Sequence, residues 1–178
     1  MGRLLLAATI LAMAMATVGC DQLNQLARSP TTAPKHPKYA AKSQRYVNWK
    51  AVLMTGDNEI VAFDNGREKL AQALQAHGIK PQNIRQLTMK KELQSDNVGQ
   101  SSKKNLALAL RNLKLKKGDG CFVHITSHGT PEGIVMRDQA PLSPFDLHRI
   151  LRRHCKRLPT VVMAVGCYTG VFNSKTLK

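Results

Sequence analysis

Apolar residues are spaced in two ways along this chain, in short unbroken runs and in stripes of helical period. The runs are Ala51-Val52-Leu53-Met54, Cys121-Phe122-Val123 with Ile125 and Thr126, and Thr160-Val161-Val162-Met163-Ala164-Val165. They have strand length, are rich in β-branched residues and largely lack polar alternation, the pattern of strands buried on both faces. Ile84, Leu87 and Met89 carry a weaker strand, and Gly133 to Met136 reads as a short return strand. The stripes lie between the runs. Leu70, Ala73, Leu74 and His77 share one face of a helix that Asp64 or Asn65 can cap and Gly78 stops. Leu106, Leu110 and Leu113 fall at i, i+4 and i+7 behind a start at Ser101 or Ser102. Ser143-Pro144-Phe145-Asp146 supplies a cap, an N1 proline and a first-turn acid ahead of Leu147, Ile150 and Leu151. Residues 90–100 read as a polar loop. Strands and helices alternate, so the expected fold is α/β, a largely parallel sheet with helices on both faces.

Each of the three strong runs ends in a glycine-bearing polar break: Gly56-Asp57-Asn58, Ser127-His128-Gly129 and Gly166-Cys167-Tyr168-Thr169-Gly170. In a parallel sheet these ends share the edge that opens to solvent, where α/β folds place their sites. Two parallel neighbours joined by the Ser143 helix would bring His128 and Cys167 together. An imidazole beside a thiol can act as general base and acid while the thiolate attacks a carbonyl, and N–H groups next to glycines are free to face an oxyanion. Taken singly, a His that closes a strand is commonly solvated, and a Cys in an apolar run is commonly a core thiol. His124 precedes His128 by an even step and is expected in the core. His77 fits a last helical turn, His148 and His154 a basic helix surface, and His36 has no partner at a metal-ligand spacing. No metal and no cofactor is expected.

These residues carry a resemblance. Phe122 to Gly129, FVHITSHG, resembles the hydrophobic block and His-Gly of the legumain-like cysteine peptidases, the asparaginyl endopeptidase and GPI-transamidase family of the caspase-like clan. Val161 to Gly170, VVMAVGCYTG, is similar to the block that ends in that family's Cys nucleophile, and Val52 to Asn58 to its first strand and Gly-x-Asn. The similarity spans roughly Trp49 to Phe172. It implies a caspase-like sheet, with Cys167 as nucleophile, His128 as proton carrier and Asn58 orienting the His. The amides of Gly129 and Cys167 would hold the oxyanion, and the substrate would be a protein or peptide. If an amine replaces water at the thioester, the same site is a transamidase. Val165 stands where legumains carry an acidic residue that recognises asparagine, so asparagine is not the expected preference. The chain ends eleven residues after Cys167, so the expectation includes a sheet lacking its last strands, with an inactive binding module as the alternative function.

The termini and the charge extend this picture. Residues 1–19 hold one charge, Arg3, and an apolar run ending in Thr17-Val18-Gly19-Cys20, which resembles a bacterial lipoprotein processing site with Cys20 as the acylated residue. The alternative is an uncleaved membrane anchor. Residues 20–47 read as a basic linker and residues 48–178 as the peptidase domain. The expected location is a cell membrane, facing the periplasm or the outside; Asp21 points to inner-membrane retention if the source is Gram-negative. The 178 residues carry 27 basic and 11 acidic side chains, a net +16, and losing residues 1–19 removes only Arg3, leaving +15. Such a surface seeks anions, and for an exported, tethered chain anionic lipid is a nearer partner than nucleic acid, which is not expected. Only 4% of residues are aromatic, so the core must be aliphatic. Cys121 and Cys155 fall at the sheet edge opposite His128; whether they pair is left open.

Overall fold

The structure, a computed structural model, describes residues 47–173. The expected signal segment at residues 1–19, Cys20 and the expected linker as far as residue 46, with His36, lie outside the described residues. A five-stranded, wholly parallel sheet in the order β3-β2-β1-β4-β8 forms the centre. Its strands are β1 (Asn48–Thr55), β2 (Ile84–Thr88), β3 (Val98–Gln100), β4 (Asp119–Thr126) and β8 (Thr160–Val165). Helices α1 (Val61–Ala76), α2 (Lys103–Asn112) and α3 (Pro144–His154) connect them. A second, antiparallel sheet of β5 (Gly129–Thr130), β6 (Gly133–Met136) and β7 (Gln139–Leu142) follows β4. The fold is α/β.

The two faces of the sheet have separate cores. On one, Val52, Met54, Val123 and Ile125 pack with Leu106 and Leu110 of α2 and Leu147 of α3. On the other, Ala51, Leu53 and Ile84 pack with Ala71 of α1, with Leu70, Leu74 and Phe122 against them. Helices therefore cover both faces, as the two-sided apolar runs require. The largest fully buried side chains are Leu, Met, Ile and Val rather than rings, as a chain poor in aromatics must arrange.

Local signals set most boundaries. The Ser102 hydroxyl accepts from the Asn105 N–H at 2.9 Å and caps α2. Ser143 does the same for Asp146 at 3.1 Å, with Pro144 at the first helical position of α3. The start of α1 differs from expectation. The helix begins at Val61 behind Ile60, which makes no side-chain cap, and Asp64 lies inside its first turn. The reason is tertiary: the Asp64 carboxylate accepts from Arg67 Nε at 3.2 Å and from the Thr88 hydroxyl of β2 at 2.7 Å, so it is committed to the interior. The helix ends at Ala76, with His77 as C-cap and Gly78 turning away at φ +91°. Residues 90–100 are not a plain loop. They hold a 3₁₀ turn at Lys91–Leu93 and the edge strand β3, which pairs Gln86↔Val98 and needs only its backbone to do so.

At the amino-terminal edge of the sheet, Lys50 Nζ lies 3.0 Å from the Asp119 carboxylate and donates to Leu113 O at 3.0 Å. Burial pushes the Asp119 carboxyl up, but the Asn48 amide, the Lys116 N–H and the Lys50 ammonium outweigh it and hold it below its ordinary value. Cys121 and Cys155 are disulfide-bonded, with Cα atoms 5.8 Å apart. Among the described residues β8 is an edge strand of the sheet, and Val161, Met163 and Val165 on its α1 side are 41–46% exposed. No helix of the described residues is long and apolar enough to cross a membrane.

Candidate active site

Three strands end at one level. The register pairs Thr55 with Thr126 and Thr126 with Val165, so β1, β4 and β8 stop side by side with β4 in the middle. Pairing continues one step further: Gly56 N donates to Thr126 O at 3.0 Å and Ser127 N to Val165 O at 3.1 Å. The loops bearing Asn58, His128 and Cys167 thus leave the same edge in that spatial order, with the histidine loop between the other two.

Glycine permits the loops to touch. A Cβ on Gly129 would sit 1.8 Å from the carbonyl oxygen of Cys167, and one on Gly166 would sit 2.3 Å from that of Ser127. The backbone after His128 therefore lies against the backbone of Cys167. Gly56 is similarly tight, with Val135 O at 2.3 Å from its would-be Cβ. β6 closes the arrangement from outside: Val135 N donates to His128 O at 2.9 Å, the Ser127 hydroxyl to Val135 O at 2.8 Å, and Arg137 N to Gly56 O at 2.8 Å. The breaks after β1 and β4 are thus bonded through β6, and that after β8 meets them in close backbone contact at Gly129 and Gly166.

The His128 side chain is 42% exposed and meets the Phe63 ring of α1 edge to face, with centroids 5.2 Å apart. Its Nε2 lies 3.7 Å from the Glu59 carboxylate, an ion pair when the ring is protonated. Asn58, half-buried one residue earlier, makes no hydrogen bond to His128 among the described residues. The β1 loop is itself braced: Asp57 Oδ1 accepts from Glu59 N at 2.7 Å, and Arg137 Nη1 lies 3.7 Å from Asp57 and 3.4 Å from Glu59. Cys167 is exposed and is a free thiol. The next residue, Tyr168, takes φ +56°, and a 3₁₀ turn at Thr169–Asn173 anchors the loop through the buried Phe172.

His124 lies apart from this cluster. It points to the α1 side of β4, is 5% exposed, and burial lowers its pKa to about 4. β4 ends at Thr126, so the strand's alternation stops before His128. Among the described residues no group of three or more His, Cys, Asp or Glu is placed to hold a metal ion.

Glu59, Phe63 and Arg137 contribute to the site beyond the residues singled out from sequence. Glu59 follows Asn58 directly in a loop already suspected, so its carboxylate was open to notice. Arg137 is 78 positions from Glu59 and no spacing connects them. Compared with protein-family models and with curated proteins, the chain matches none.

Proposed function

We propose that this chain is a membrane-tethered cysteine peptidase of the legumain-like type, its sheet arranged as in the caspase-like clan, with Cys167 as nucleophile and His128 as proton carrier. The observation that supports this most is the close contact of Gly129 with the Cys167 carbonyl, which sets a free, exposed thiol on the loop next to an accessible imidazole. In the reaction, His128 takes the thiol proton while sulfur bonds to the peptide carbonyl carbon. The resulting oxyanion accepts from the N–H groups of Gly129 and Cys167. As the C–N bond breaks, His128 returns the proton to the leaving amine and a thioester remains. Water, losing a proton to His128, then releases the acid and restores the thiol; an amine in its place would give transamidation.

Asn58 keeps its proposed orienting role toward His128, shared with Glu59. Peptide substrates with residues other than asparagine before the cleaved bond fit the apolar Val165. The anchor at Cys20 and the periplasmic or external location belong to the same proposal, with retention in an inner membrane as the Asp21 variant of it.

The test is site-resolved alkylation. Cys167 should react readily with iodoacetamide at neutral pH, and His128→Ala should slow it several-fold because the nearby proton acceptor is gone. A rate at Cys167 that ignores the His128 substitution, in folded protein, removes the catalytic reading and leaves that of a binding module. For the anchor, Cys20→Ala should abolish incorporation of a fatty-acid analogue; label that persists in the variant assigns the acyl group elsewhere.

A further inference from the structure

Six exposed cations of this chain share the edge of the sheet opposite the site. Three of the loops at that edge, residues 77–83, 113–119 and 155–159, are tied to one another. Asn83 Nδ2 donates to the Asn48 side chain at 3.3 Å, Asn48 N to Gly118 O at 3.3 Å, and Cys121 N to Pro159 O at 2.8 Å. On the continuous surface they form, Lys80, Lys114, Lys116, Lys117, Lys156 and Arg157 are all exposed. The one carboxylate in these loops, Asp119, is buried against Lys50. The loops of the opposite edge mix signs, with Asp57 and Glu59 against Arg137, and Lys90 following β2.

Two further observations concern the same surface. Lys114 and Lys156 follow α2 and α3 at φ +47° and +56°, backbone where glycine is the usual residue, so long cationic side chains stand there at a conformational cost. The carboxyl ends of α2 and α3 also converge on it. His154, half-buried at the end of α3, is held below its ordinary pKa by burial and by the charges of Arg153 and Arg111.

We propose that this amino-terminal edge is a docking surface for an anionic phospholipid bilayer, which turns the carboxyl edge bearing His128 and Cys167 away from the membrane. Charge complementarity names the partner, and chain direction supports it. The apolar run and Cys20 lie upstream of Asn48, and Asn48 joins the fold at this very edge. The inference rests on the membrane-anchoring part of the proposed function and is independent of the peptidase part. Nucleic acid fits less well, because a chain tethered outside the cytoplasm lies beside lipid headgroups rather than beside nucleic acid.

The only tryptophan of the chain, Trp49, is half-buried at the start of β1 on this edge and reports on the docking. The full chain is mixed with vesicles of phosphatidylglycerol and phosphatidylcholine, or of phosphatidylcholine alone, each carrying a headgroup nitroxide lipid that quenches nearby indole. Sedimentation reads attachment, and quenching of Trp49 reads docking. Quenching is expected on the anionic vesicles and not on the neutral ones. It should vanish in about 1 M salt, where the screening length is about 3 Å. It should also fall to the neutral-vesicle level in the combined variant Lys114→Glu, Lys116→Glu, Lys117→Glu, whose folding circular dichroism checks. Reversal at the other edge, Lys90→Glu with Lys91→Glu, should leave it unchanged. A chain that sediments with anionic vesicles without quenching, or whose quenching survives salt, overturns the docking surface while leaving the anchor standing. Failure to sediment with either vesicle overturns both. Salt-sensitive binding to a duplex oligonucleotide without quenching on vesicles assigns the edge to nucleic acid instead. The salt arm uses the unaltered chain, so the test stands even if the triple variant does not fold.

Discussion

His124 carries an imidazole whose Nδ1 has no hydrogen-bond partner inside β4, an interior strand of the sheet. Its pKa falls from 6.5 to about 4 because burial disfavours the charged ring. Above pH 6.5 the ring is neutral whether the chain is folded or not, and the group has no pH effect. As pH falls from 6.5 towards 4, the unfolded chain takes up a proton that the folded one refuses, so stability drops, by on the order of 3 kcal/mol in all. Below about 4 both states are protonated and the loss is complete. His154, also lowered, acts in the same direction. Urea midpoints measured across this window should decline with acidity in the wild type, and His124→Leu should flatten most of the decline; an unchanged slope would place the titration on other groups. The interior position of His124 was legible from its place in an apolar run. Its missing partner was not, because the neighbours that fail to reach it come from other elements. The pairing of His128 with Glu59 and of Glu59 with Arg137 was hidden for the same reason: only the folded turns bring them together.

At the level of elements, the site depends on glycines more than on any polar bond. Gly129→Ala must move either β5 or the Cys167 loop, since the added carbon falls on the Cys167 carbonyl. A destabilisation of about 1–3 kcal/mol is expected, together with altered Cys167 alkylation. Gly170→Ala, on the same loop with nothing within 4 Å of the new carbon, should stay within about 0.5 kcal/mol and serves as the control. Equal thermal shifts in the two variants would show that the close contact is not what holds the loops. The sequence made the long elements readable, because α2 and α3 carry serine caps and their stripes match the period of a helix. It concealed β3, β5 and β7. Strands of two to four residues such as Gly129–Thr130 and Gln139–Leu142 bury little and are fixed by backbone partners, so their side chains need show no period. The first turn of α1 was misplaced because Asp64, a residue type that favours caps, finds better partners in Arg67 and Thr88.

For the whole molecule, composition foretold an aliphatic core and a cationic surface, and alternation foretold the α/β layering. That Lys80, Lys114, Lys116, Lys117, Lys156 and Arg157 share one edge follows from chain direction: every loop entering a strand of a parallel sheet arrives at the same end. The same parallel pairing has a kinetic side. β1 borders β4, and the first paired residues, Asn48 and Asp119, are 71 positions apart. At synthesis rates of about 5–20 residues per second, β1 waits roughly 4–14 s for that neighbour to emerge. Until then its apolar residues lack the β4 side of their sheet, and Glu59 has no histidine to meet. A ribosome-arrested chain stopped before β4 should therefore be cut readily by added protease near β1, and one extended past β8 should resist. Order of emergence thus decides when the edge that carries the thiol first exists: only after the last of its three strands has left the ribosome or, in a chain exported as proposed, the translocation pore.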